Sequence, residues 1–130
     1  MITKGMRKVF IVEDNKDLCN MYERLFKLHG HEVTVASDGL DALDKLRQVK
    51  TKPAVILLDV ILPKMSGLDV LRALKNDEEL KNIPVVILTN SFNETNENLF
   101  LAQGASLYLV KIENDIIDVI EKVNKLLSLV

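Results

Sequence analysis

Five short apolar runs recur along the chain: Val9–Val12, Val33–Ala36, Ala54–Leu58, Val85–Leu88 and Leu107–Val110. Val9–Val12, Ala54–Leu58 and Leu107–Val110 are strongly apolar and bounded by polar or turn-forming residues, which is the pattern of buried parallel strands, and Val33–Ala36 reads as a short strand. Between the runs the apolar positions change to helical spacing. Leu18, Tyr22, Leu25 and Phe26 recur at i, i+4, i+7 and i+8, and Gly30 follows as a C-terminal stop. Asp38 is placed to cap a second helix with the stripe Ala42, Leu43, Leu46 and Val49. Gly67, Val70, Leu71 and Leu74 mark a third. The segment 93–103 predicts a weaker fourth, because Asn93, Asn96 and Asn98 are poor helix formers and its apolar residues are confined to Leu99–Ala102. The last helix, about Asn114–Leu129, carries Ile116, Val119, Ile120, Val123, Leu126 and Leu127 on one stripe and leaves Ile117 off it.

This unbroken alternation predicts an α/β fold, with five strands in a parallel sheet and five helices covering both faces. With no linker, low-complexity stretch or internal repeat, residues 1–130 read as a single domain with no output domain attached. Composition narrows the class further. At 48% hydrophobic and 28% charged residues the chain is neither disordered nor membrane-embedded. Its first residues lack the apolar stretch of a secretory signal, so a cytoplasmic location is expected. The single cysteine, Cys19, excludes an internal disulfide and reads as a small apolar helix residue. A net charge of −2 gives no electrostatic footprint for nucleic acid.

The chemistry lies where the runs end. Glu13 and Asp14 follow the first, Asp59 the third, Thr89 the fourth and Lys111 the fifth. If all are strands of one parallel sheet, these groups gather at its carboxyl edge, where open α/β sheets hold ligands. Taken singly, each reads as a strand terminator or a cap. Together, the carboxylates repel: two like charges about 4 Å apart cost roughly 4 kcal/mol at an effective dielectric of 20. A cation relieves that repulsion, and oxygen-only ligands suit a hard divalent ion such as Mg²⁺, which takes one or two carboxylates and keeps several waters. A carboxylate beside Mg²⁺ and a lysine is equipment for accepting a phosphoryl group, and Thr89 adds a hydroxyl at the same edge.

In order and spacing, Glu13-Asp14, Asp59, Leu62-Pro63-Lys64-Met65-Ser66-Gly67, Thr89 and Lys111 resemble the receiver domain of two-component response regulators across essentially the whole chain. The resemblance implies a flavodoxin-like doubly wound sheet of order 2-1-3-4-5. It also implies a role for each residue. Asp59 matches the phosphoacceptor, which takes its phosphoryl group from the phosphohistidine of a histidine kinase or phosphotransfer protein. Asp14 matches the direct Mg²⁺ ligand, the backbone carbonyl of Ile61 a further ligand, and Glu13 an acidic position that reaches the metal through water. Lys111 matches the lysine that pairs with a phosphoryl oxygen. Thr89 matches the switch hydroxyl, the backbone N–H of Asn90 lies beside it, and Tyr108 matches the aromatic whose ring turns inward as that hydroxyl moves. The surface of the fourth helix, fifth strand and fifth helix is then what a separate downstream protein or a second copy would sense. The implied function is that of a phosphorylation-controlled binding module, not an enzyme apart from catalysing its own phosphorylation and dephosphorylation.

Two positions depart from the family pattern. Lysine is usually followed there by proline through a cis bond, whereas Ile112 follows Lys111. A non-proline cis bond costs about 2.5–4 kcal/mol, so a trans bond and a reshaped loop are expected, and the resting place of Lys111 is left open. Asn90 also stands where a small residue is common. Other classes fit less well. An aspartyl-phosphate phosphohydrolase of the haloacid-dehalogenase type carries a second aspartate where this chain has Ile61, and a flavin or nucleotide carrier needs a phosphate cradle where Glu13-Asp14-Asn15 would repel the ligand. A degenerate receiver that binds partners without phosphorylation is the remaining alternative, with the full acidic set against it.

Overall fold

In a computed structural model that describes residues 7–90 and 93–128, with Glu94 and Thr95 by backbone alone, strands and helices alternate along the chain. The elements are β1 (Lys8–Val12), α1 (Lys16–Leu28), β2 (Glu32–Ala36), α2 (Gly39–Gln48), β3 (Val55–Asp59), α3 (Gly67–Lys75), β4 (Val85–Thr89), α4 (Glu94–Ala102), β5 (Leu107–Val110) and α5 (Ile116–Ser128). All strand pairs are parallel and the sheet order is β2-β1-β3-β4-β5. The flavodoxin-like order implied above is therefore observed. Leu129, the expected end of the last helix, and the first six residues lie outside the described residues.

Strand pleating divides the core into two layers. Phe10, Val12, Ile56, Leu58, Val85 and Ile87 point to one face and pack with Leu43, Leu46, Val70, Leu71 and Leu74 from α2 and α3. Val9, Ile11, Val55, Leu57, Val86 and Leu88 point to the other, against Phe26 of α1 and Val119, Ile120 and Val123 of α5. Every residue of β3 and β4 is buried. This explains why their sequences are continuous apolar runs: no position on a central strand sees water.

Helix entry is set by side chains. Asn15, Asp38, Ser66 and Asn93 each accept a hydrogen bond from the backbone N–H three residues on, which satisfies one orphan donor and is worth about 1 kcal/mol in typical hosts. Asn93, expected to weaken the fourth helix, is instead its cap. Other differences are small. Val49 ends α2 as its C-cap instead of extending the stripe, and α5 begins two residues later than its pattern indicated. Leu80 and Ile83 are buried in the connection from α3 to β4, where neither period marked them.

One close contact fixes the loop after β3. A Cβ at Gly67 would lie 2.2 Å from the carbonyl oxygen of Asp59, so only glycine lets the start of α3 press against the end of the strand. Gly67 also donates its N–H to the Val60 carbonyl at 2.9 Å. The chain between passes through Lys64 at φ 67, a left-handed conformation, with its ammonium 3.5 Å from Asp38. The loop that leaves Asp59 is thereby held from both sides.

Candidate functional site

Asp59 is the last residue of the central strand and lies in register with Leu88 of β4, while Glu13 and Asp14 follow β1, its other neighbour. Parallel pairing therefore brings three carboxyl groups to one edge. One oxygen from each of Glu13, Asp14 and Asp59 lies within 4.8 Å of the others. Glu13 and Asp59 are buried, at 4% and 6% exposure, whereas Asp14 stands in solvent. The cleft they line measures about 250 Å³ and is bordered by Asn15, Leu18, Ile61, Asn90 and Lys111.

Lys111 reaches this cluster. Its ammonium lies 2.7 Å from Glu13 Oε1 and 3.4 Å from Asp59 Oδ2, and its own side chain is only 13% exposed. No cis peptide bond occurs among the described residues, so the Lys111–Ile112 bond is trans as expected. The question that Ile112 raised has a structural answer: the lysine still points inward. Its backbone N–H donates to the Thr89 carbonyl at 2.7 Å, which continues the β4–β5 ladder past the end of β5.

Electrostatics follow from this packing. Burial, then the charge of Glu13, raises the Asp59 carboxyl from its ordinary 3.8 to about 6. Lys111 pulls in the opposite direction, a hydrogen bond shared with Glu13 raises it again, and the backbone N–H of Ile61 lowers it. One lysine among three carboxylates leaves two negative charges when all are ionised, in a partly desolvated cleft lined by hard oxygen donors. That donor set and that charge fit a divalent ion such as Mg²⁺. Glu13 is already engaged on both oxygens, by Lys111 and by the Asn15 N–H at 3.1 Å. Asp14 and Asp59 are therefore the more available direct ligands.

The remaining expected residues fall into two groups. Asn90 is exposed and borders the cleft, as does Ile61, whose side chain is 74% exposed. Thr89 and Tyr108 are buried and border no part of it. Thr89 ends β4 beside its in-register partner Val110 of β5. The Tyr108 ring lies inside, 5.7 Å from the Phe100 ring, and its hydroxyl is buried with no hydrogen-bond partner among the described residues. Two residues that the sequence reading did not single out also matter here: Asn15, whose backbone holds Glu13 while its side chain caps α1, and Asn114, which braces the turn after Lys111. Asn15 was legible as a cap before an apolar stripe. Asn114 gave no local signal, because its partners lie on β5 and α5.

Among the described residues no helix is long and apolar enough to cross a membrane. Comparison with known proteins gives the same picture as the geometry. The polar-differentiation response regulator DivK of Brucella anthropi is 36% identical over 105 residues, which cover 81% of this chain and 84% of that protein. The Mn²⁺-bound response regulator Rcp1 superposes with a TM-score of 0.76 at 32% identity, over 93% of this chain and 88% of its own. The phosphorylated cyanobacterial phytochrome response regulator RcpA does so with a TM-score of 0.77 at 32% identity, over 94% and 89%. The family model of the response regulator receiver domain matches residues 9–124, from the first strand to the last helix, and the chain belongs to that family.

Proposed function

We propose that this receiver is switched by phosphorylation of Asp59. The observation that carries the reading is the Asp59 carboxyl, buried at the sheet edge with a lysine ammonium 3.4 Å away and two further carboxyl groups beside it. Family membership implies interaction with a histidine kinase. In the proposed step an Asp59 oxygen attacks the phosphorus of a phosphohistidine, the P–N bond breaks, and the imidazole leaves with the bonding electrons. With its carboxyl raised to about 6, Asp59 is roughly nine-tenths ionised at pH 7 and available as the nucleophile.

Asp14 and Asp59 would hold Mg²⁺ directly, with the Ile61 carbonyl as a further ligand and Glu13 acting through water. Bound there, the ion neutralises charge on the equatorial phosphoryl oxygens. Lys111 moves its ammonium from the carboxylates to a phosphoryl oxygen, a short displacement from its present place. The Asn90 N–H and the Thr89 hydroxyl approach the same group, and Tyr108, already inside, fills the space behind Thr89. The face of α4, β5 and α5 is then what a downstream protein or a second copy reads, so the domain is a binding module rather than an enzyme with an external substrate. The Mn²⁺-bound Rcp1 and phosphorylated RcpA, each 32% identical, support both halves of this reading.

The test is mass spectrometry after incubation with phosphoramidate and Mg²⁺. The full chain is expected to gain one phosphoryl group, and Asp59→Asn none. An unmodified wild-type protein, or modification that survives in Asp59→Asn, overturns the proposal.

A further inference from the structure

The turn between β5 and α5 contains a support for Lys111 built from residues with no assigned role. The side chains of Ile112 and Glu113 stand in solvent, Ile112 at 87% exposure. Asn114, next along, is buried, and its side chain is used at both ends. Nδ2 donates to the Val110 carbonyl at 3.0 Å, and Oδ1 accepts from the Lys122 ammonium. The Val110 carbonyl also accepts the Glu113 N–H at 3.0 Å, and the Asn114 N–H reaches the Lys111 carbonyl at 3.3 Å. Lys111 is thus gripped on both sides, by β4 through the Thr89 carbonyl and by a turn closed onto the residue that precedes it.

Lys122 reaches the amide from the exposed side of α5, a helix whose Val119, Ile120 and Val123 are held in the core. Its charge on the amide oxygen polarises the amide and strengthens the opposite bond to Val110, as linked hydrogen bonds do. Lysine has a long flexible stem, so its ammonium stays on Glu13 and Asp59 only where its backbone is held within reach of them. We infer that Asn114, braced by Lys122, is a positioning residue that aims Lys111 at Glu13 and Asp59 in a loop with no proline to fix it. Its consequence for phosphoryl transfer rests on the phosphoacceptor reading, but the aiming itself does not.

Two measurements separate these. Urea unfolding of the full chain without Mg²⁺, for wild type, Asn114→Ala, Lys111→Met and the double variant, reads the aiming directly. If Asn114 positions Lys111, the loss caused by Lys111→Met shrinks by about half or more in the Asn114→Ala background, because the lysine is no longer held at its partners. Additive losses mean a merely structural role and overturn the inference. Should Asn114→Ala not fold, Lys122→Met, which keeps the amide and its bond to Val110, takes its place in the same cycle. The second measurement is the rate of phosphorylation by phosphoramidate with Mg²⁺. Asn114→Ala is expected to be slower by about tenfold or more, in line with the cost of misplacing a catalytic group by an ångström, and Lys122→Met by less. A wild-type rate in Asn114→Ala overturns the inference. If the wild type takes no phosphoryl group, it is the phosphoacceptor reading that has failed, and the unfolding cycle alone decides the aiming.

Discussion

Asp59 makes the metal-free protein less stable than its packing allows, and Asp59→Asn exposes the size of that cost. Burial and the neighbouring Glu13 move its carboxyl from 3.8 to about 6. The native state therefore holds a proton more tightly than the unfolded chain, and stability falls as pH rises through that interval. Below about pH 4 both states are protonated and Asp59 costs nothing; above about pH 6 both are ionised and the full penalty is present. At about 1.4 kcal/mol per pH unit, the interval corresponds to a ceiling of about 3 kcal/mol. The asparagine amide keeps an oxygen for the Ile61 N–H but gives up the ion pair with Lys111, so the realised gain lies at about 1–3 kcal/mol.

A carboxyl held below its ordinary range has the opposite slope. Asp38, for example, is held low by the Asp41 N–H and then by Lys64, and so contributes stability that is lost on acidification. The difference between variant and wild type cancels these. Urea midpoints at a series of pH values without Mg²⁺ are expected to show Asp59→Asn nearly equal to wild type at pH 4. The variant then becomes progressively more stable to pH 6, with a constant gap above it. Millimolar Mg²⁺ is expected to narrow the gap by binding the wild-type site more tightly than the variant's. A gap that does not vary with pH, or a variant less stable than wild type at pH 7, would refute the electrostatic reasoning.

Asp14 differs from Asp59 in exposure. Asp14→Asn is expected to change metal-free stability by less than about 0.5 kcal/mol, because water screens an exposed carboxylate, yet to abolish the Mg²⁺-induced rise in melting temperature; a wild-type rise excludes Asp14 as a ligand. At Tyr108, Tyr108→Phe removes a buried hydroxyl with no partner among the described residues and is expected to raise the unfolding free energy by about 1 kcal/mol, checked by urea titration. A loss of that size would show that the hydroxyl is satisfied in solution.

Why the sequence disclosed so much of this site, and where it stopped, follows from the reach of each interaction. β3 and β4 are buried on both faces, so their positions had to be apolar, and Asp59 and Thr89 stood out as the polar residues that close them. The acidic cluster was legible because parallel pairing places strand ends together whatever the loops do. That Lys111 joins this edge was legible, but what holds its turn was not. The turn is closed by a hydrogen bond from the Asn114 amide to β5 and by an ammonium from α5, and neither leaves a trace in the residues beside Lys111. Leu80 and Ile83 were hidden for a related reason, since an irregular connection has no period to betray which side chains it buries. The same division explains the chemistry. The proposed nucleophile and metal ligands sit at strand ends that the whole core holds, whereas the lysine sits on a turn braced by two side chains. A change at Asn114 or Lys122 is therefore expected to alter the charge facing the proposed acceptor without disturbing that acceptor, so that the speed of the proposed switching varies while the sheet that supports it stays the same.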